Sequence, residues 1–94
     1  TPTLIIDVVA EHFGVKPEDI TSQKRNSEFV QPRQVMMYLC REMTDTSYIN
    51  IAKLLGKKDH TTIIHGYNKI VAEMKNNEEL CNKIEIIKKK INPF

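Results

Sequence analysis

No run of apolar residues in this chain approaches the roughly 18 that a membrane-spanning helix needs. No basic start followed by an apolar middle marks a secretory leader. Cysteine is sparse. Cys40 and Cys81 form no C-x-x-C and no dense framework, the pattern of two reduced thiols in a cytosolic protein rather than of a disulfide scaffold. Histidine occurs only as His12, His60 and His65. The last two are five residues apart and fall on different faces of a helix, a poor arrangement for a metal, so no metal site is expected. There is also no activated nucleophile or paired carboxylate, which argues against an enzyme. Repeats, low-complexity segments and strand-like alternation are all missing.

What remains is one small domain spanning residues 1–94. Its 40% hydrophobic and 28% charged residues suit a globular fold and argue against disorder. The chain begins Thr1-Pro2-Thr3 without Met and is expected to be a piece of a longer protein. The net charge of +2 is too weak to name a partner, but its distribution is uneven. Residues 1–21 carry Lys16 against Asp7, Glu11, Glu18 and Asp19. Residues 22–58 carry Lys24, Arg25, Arg33, Arg41, Lys53, Lys57 and Lys58 against Glu28, Glu42 and Asp45. That central basic block fits a nucleic-acid footprint and equally an ordinary solvated face.

The periodicity is helical throughout, predicting an all-α fold of about six short helices. Thr3 is a candidate cap for a first helix carrying Leu4, Ile5, Val8, Val9 and Phe13, with Gly14 ending it. Pro17-Glu18-Asp19-Ile20 reads as one short turn. Residues 22–30 have no clean period and read as a polar loop. Pro32 opens a helix to about Met43, with Val35, Met36, Leu39, Cys40 and Met43 on one stripe and Gln34 and Arg41 on the opposite face. Ser47 can cap a short helix whose apolar face is Ile51, Leu54 and Leu55. Asp59 can cap the next, which runs to about Met74 with Ile63, Ile64, Tyr67, Ile70, Val71 and Met74 inward. Leu80, Ile84, Ile87 and Ile91 face inward from a last helix ending at Asn92-Pro93. The run Lys88-Lys89-Lys90 suits its C-terminal turn, where cations meet the helix dipole.

Residues 47–75 form the informative unit. A short amphipathic helix, a glycine-containing turn and a longer amphipathic helix make a helix-turn-helix pattern. The turn carries Lys57 and Lys58, cations where such a motif crosses a phosphate backbone. The second helix begins Asp59-His60-Thr61-Thr62, four polar side chains at the end that enters a major groove. A carboxylate accepts from cytosine's amino group, and Thr can bond a base edge or touch a thymine methyl. Asp59 has a competing role as an N-cap for the same helix. On a helical wheel His60 projects toward the apolar side. Gly66, on the polar face, lets the helix backbone approach another surface. On these features alone three classes stand open: a DNA-binding module, in particular a dimeric regulator of the Trp-repressor type reading a palindrome; a helical protein-interaction or acidic-membrane module; and, last, an enzyme.

Lys24-Arg25, the stretch from Pro32-Arg33-Gln34 to Met43-Thr44, and Lys58-Asp59-His60-Thr61-Thr62-Ile63-Ile64-His65 closely resemble the C-terminal DNA-binding domain of the bacterial chromosomal replication initiator protein DnaA. The resemblance is dense over residues 22–75 and loose at both ends. It implies a Trp-repressor-like helix-turn-helix with an extended basic loop, and sequence-specific binding of double-stranded DNA at the DnaA box of the replication origin. By position, Arg25 would enter the minor groove, Asp59, His60, Thr61 and Thr62 would read bases in the major groove, and Arg33, Gln34, Arg41 and Lys69 would hold phosphates with Lys58 as a helper. A narrow A·T-rich minor groove is strongly negative and attracts an inserted Arg. The resemblance further implies an isolated domain that is monomeric, a bacterial cytoplasmic, nucleoid-associated protein, and contact of the full-length protein with acidic phospholipid. ATP and Mg belong to the family's ATPase domain; no G-x-x-x-x-G-K-[ST] occurs here, so no cofactor is expected. The chain departs from the family at Tyr48-Ile49-Asn50-Ile51-Ala52, where Leu-Pro-Glu/Lys-Ile-Gly is usual, which puts the start of that helix in question. Gly56-Lys57-Lys58 replaces Gly-Gly-Arg, and Gly66 replaces a small residue such as Ala.

Overall fold

A computed structural model describes residues 1–94. Helix α1 spans Pro2–Phe13. Its cap is Thr1, whose hydroxyl accepts from the Leu4 N–H at 3.3 Å, not Thr3 as the sequence suggests. Pro2 is the reason: its fixed φ and missing N–H fit the first helical turn, which moves the cap ahead of it. Gly14, at φ 68, closes the helix with its N–H on the Glu11 carbonyl at 3.2 Å, and Val15 reaches back to Ala10 at 3.0 Å. Helix α2, Pro17–Thr21, begins where the Lys16 N–H meets the Asp19 carboxylate at 3.4 Å.

The polar stretch that follows is not loop throughout. It holds one 3-10 turn, Ser27–Phe29, and helix α3 then starts at Val30 and runs to Met43. Pro32 lies inside the first turn, where an N–H would have no helical partner anyway. Helix α3 is buried around more of its circumference than a single stripe: Met37 and Tyr38 join Val35, Met36, Leu39 and Cys40, while Met43 is only half-buried. It is the central helix, packed most closely on α5 and α1.

Helix α4 is Tyr48–Leu54 and helix α5 is Thr61–Met74. The Ser47 hydroxyl caps α4 by accepting from the Asn50 N–H at 3.1 Å, so the helix starts without the proline usual in the resembled family. Ile51, Ala52 and Leu55 form its buried stripe. Leu54 is exposed, contrary to expectation, because a seven-residue helix resting on α5 and α3 covers one narrow stripe. Helix α6, Glu78–Ile91, is capped by the Asn77 side chain on the Leu80 N–H at 2.9 Å. Leu80, Ile84 and Ile87 seal the core and Ile91 packs at its edge. Six helices and no strand make the fold all-α. Burial pushes the Cys40 thiol up to about 12, so it packs as a small apolar group rather than reacting as a thiolate.

Candidate nucleic-acid interface

The turn between α4 and α5 sets the geometry of the site. Gly56 adopts φ 64, a left-handed conformation that costs a side-chain-bearing residue 1–2 kcal/mol or so. A Cβ there would also come within 2.9 Å of the Gln23 side-chain nitrogen. The Lys57 N–H closes the turn on the Ala52 carbonyl at 2.8 Å. Lys58, Asp59, His60, Thr61 and Thr62 are then all exposed, followed on the same face of α5 by His65 and Lys69. The N-cap position of α5 is His60, not Asp59 as the sequence suggests; Asp59 caps from one residue ahead, its Oδ1 accepting from the Thr61 N–H at 2.9 Å. Bonding to the Thr61 backbone, and then to its side chain, holds the Asp59 carboxyl below its ordinary value, so it is a carboxylate at neutral pH. His60 faces solvent rather than the apolar side. It precedes the first helical residue, and a wheel drawn through it carries no meaning there.

Gly66 is buried, and the surface it admits is the protein's own. An ideal Cβ on it would overlap the Met37 sulfur and lie 3.5 Å from Gln34 Cγ. Here α5 passes close over α3. The passage sets Gln34, half-buried, beside the middle of α5. Two turns further along the same face, Arg41 lies 4.3 Å from the centroid of the Tyr48 ring and donates to the Thr46 carbonyl at 3.2 Å. Tyr48 stands at the position where the chain departs from the resembled motif. It also meets Tyr67 edge-on at 6.0 Å.

The basic loop presents Arg25 exposed and free of any ion pair, while Lys24 is bridged to Asp19 at 3.1 Å. Arg33, expected to hold a phosphate, is turned inward. As a phosphate ligand it would have to reach out, yet it is only 7% exposed. Its Nε donates to the Ile20 carbonyl at 2.9 Å and one Nη to the Asp19 carbonyl at 2.7 Å and the Ser22 hydroxyl at 3.1 Å. The other Nη reaches the Lys24 carbonyl. A buried guanidinium is tolerable only when its donors are satisfied this way. Burial still lowers its pKa, with the charge of Asp19 opposing. Arg33 therefore holds the inner side of the basic loop. The sequence carried a signal for this: Arg33 lies seven residues before the buried Cys40, on the apolar stripe, whereas Gln34 lies seven before Arg41 on the polar one.

Gln23 carried no such signal. It sits in the polar loop, 32 residues from the turn that it contacts. Its Nε2 donates to the carbonyls of Leu55 at 2.9 Å and Gly56 at 3.3 Å, and its Oε1 accepts from Lys57 Nζ at 3.0 Å. The basic loop and the amino end of α5 thus belong to one surface, joined at the turn.

A short first helix, a left-handed glycine turn and a longer second helix with an exposed polar amino end define a helix-turn-helix domain. The family model described as bacterial dnaA protein helix-turn-helix matches residues 2–70, and the chain belongs to that family. It is similar to the chromosomal replication initiator protein DnaA of Lachnoclostridium phytofermentans, 43% identical over 93 residues, covering 99% of this chain and 20% of that protein. The same-named protein of Caldanaerobacter subterraneus subsp. tengcongensis is 45% identical over 94 residues, 100% of this chain and 21% of that one. The chain thus spans about a fifth of the length of these relatives. A crystal structure of a DNA replication initiation factor superposes with a TM-score of 0.84 at 36% identity, covering 96% of this chain and 27% of that one.

Proposed function

We propose that this domain binds double-stranded DNA sequence-specifically at DnaA boxes of a bacterial replication origin, one monomer per asymmetric site. The amino end of α5 enters the major groove, where Asp59, His60, Thr61 and Thr62 read base edges. Arg25 enters the adjacent minor groove. Arg41, Lys58 and Lys69 neutralise phosphates and Gln34 bonds one. The observation that carries this reading is the juxtaposition made by Gln23: a loop bearing a free arginine is fixed against the turn that leads into an exposed polar helix start. Two neighbouring readers then face one duplex, a helix end sized for the wide groove and a single long cation suited to the narrow one. Asp59 serves as cap and reader together, because Oδ1 is engaged with the backbone and a carboxylate has a second oxygen.

With Arg33 turned inward, Arg25, Arg41, Lys58 and Lys69 remain to displace counterions, and log affinity falls against log salt with a slope of about −3 to −4. The test is fluorescence anisotropy of a labelled duplex carrying one DnaA box, and of a scrambled duplex of equal composition, across a salt series. Tighter binding of the box at every salt concentration is expected. Equal affinity for both duplexes would refute sequence-specific reading.

A further inference from the structure

The side-chain hydrogen bonds that cross more than thirty residues of sequence all belong to Gln23. Its amide is oriented by its surroundings: two carbonyls require the nitrogen end, and an ammonium requires the oxygen end. Every polar atom of the side chain is therefore engaged with the turn between α4 and α5. Gly56 makes room for it, since a Cβ at that position would intrude on Nε2. The peptide on both sides of Gln23 is fixed by Arg33, which holds the backbone carbonyls of Asp19, Ile20 and Lys24. Arg25 follows directly on these anchored residues, two after Gln23 and one after Lys24.

We propose that Gln23 is a positioning residue that fixes the spacing between the Arg25 guanidinium and the amino end of α5, and so sets which base pairs the two readers engage together. The proposal rests on the DNA-binding reading above. A flexible loop would still deliver Arg25 to DNA, but with its ordering cost added at binding and with no fixed register to the major-groove reader. Arg33 fixes the loop to the body of the domain. Gln23 alone fixes it to the recognition unit. Its bond to Lys57 also turns that ammonium toward the loop, which leaves Lys58 as the turn's free cation.

Two measurements on the 94-residue chain decide the matter. The first needs no DNA: backbone 15N order parameters of residues 22–26 in wild type and in Gln23→Ala. They are expected to fall in the variant while the melting temperature stays within a few degrees, because the side chain is exposed and bonds backbone carbonyls at the turn rather than packing in the apolar core. Order parameters equal to wild type would overturn the latch whatever the protein binds. The second is a double-mutant cycle of Gln23→Ala and Arg25→Ala, with anisotropy on the box duplex and on a duplex in which the A·T pairs flanking the major-groove site are replaced by G·C. Gln23→Ala is expected to weaken box binding about three- to tenfold and to reduce the A·T preference. Added to Arg25→Ala it should cost nothing further, since it acts through Arg25. Additive losses would overturn the positioning role. A wild-type protein without box preference would instead overturn the DNA-binding reading, leaving the order-parameter result to stand alone.

Discussion

Two regions of this domain are held together by different physics. On one side α1, α3, α5 and α6 close over Ile5, Val9, Leu39, Ile70 and Ile84, none of which retains exposed surface. On the other side residues 23–28 are exposed without exception, and only Phe29 at the end of the stretch is buried. The core is secured by apolar contact, which has no direction and tolerates small readjustment. The loop is secured by directed bonds from two side chains, Arg33 beneath it and Gln23 at its rim. Apolar burial supplies stability; directed bonds supply position. A DNA reader needs its groove-facing residues at a fixed separation more than it needs further stability at that spot. On the proposed reading, polar anchoring is placed at the recognition surface, and the apolar core is kept away from it.

The comparison breaks first at its largest elements, Leu39 and Arg33. Leu39→Ala opens a cavity at the centre of α3 and is expected to cost about 2–5 kcal/mol of stability. The affinity of the remaining folded protein for a box duplex should change little. Arg33→Ala is expected to cost about 2–3 kcal/mol, by stripping carbonyls in the loop of their partners, and to weaken box binding as well. Chemical denaturation and anisotropy on the same two variants make the contrast. A melting temperature for Arg33→Ala equal to wild type, with a salt slope shallower by about one unit, would return Arg33 to the set of phosphate ligands.

This difference also explains what could be read from the residues. Helices α3, α5 and α6 are legible because Val35, Leu39, Ile63, Ile70, Leu80 and Ile84 repeat at helical spacing, and burial follows periodicity. The position of Arg33 on that same stripe was legible too, but an arginine in a basic stretch beside a family motif reads more naturally as a DNA contact. Leu54 misleads for the opposite reason: an apolar residue on a helix that covers only one narrow stripe is left outside. Exposure of Asp59, Thr61 and Thr62 follows from their place at a helix start. The link from Gln23 to the turn was beyond reach, because a polar bond between residues 32 apart leaves no period, spacing or composition behind. The surface approached by Gly66 was likewise hidden. A glycine announces a close passage, not what passes.

A finer contrast lies within Asp59, which serves both regions' logic at once. Asn caps a helix as well as Asp does, whereas Ala does not cap it. Asp59→Asn is therefore expected to keep the wild-type melting temperature while altering base preference, since its amide can donate where the carboxylate only accepts. Asp59→Ala is expected to lower the melting temperature by about 4–8 °C and to lose roughly tenfold or more on the box duplex, with little change on scrambled DNA. If the Asn variant retains both melting temperature and base preference, Asp59 is a cap and no reader.

The smallest effect separates the regions by pH. His12 of α1 has its pKa lowered from 6.5, first by burial and then by the charges of Lys90 and Lys83. Its neutral form fits the folded state better than its cation does. Stability from this residue is therefore complete above the ordinary value of 6.5 and declines as pH falls through the lowered one. Asp59, bonded to Thr61, and Asp19, bonded first to the Lys24 side chain, are both held below 3.8. Their contribution is present above that value and is lost only as pH falls beneath it. Acidification should thus loosen the α1–α6 side of the domain before the recognition side. Hydrogen exchange followed by NMR at stepped pH is expected to show α1 amides losing protection first and the amide of Thr61 later. His12→Gln should remove the early step alone. Simultaneous loss on both sides in wild type, or an early step that survives in His12→Gln, would show that the two regions do not titrate separately.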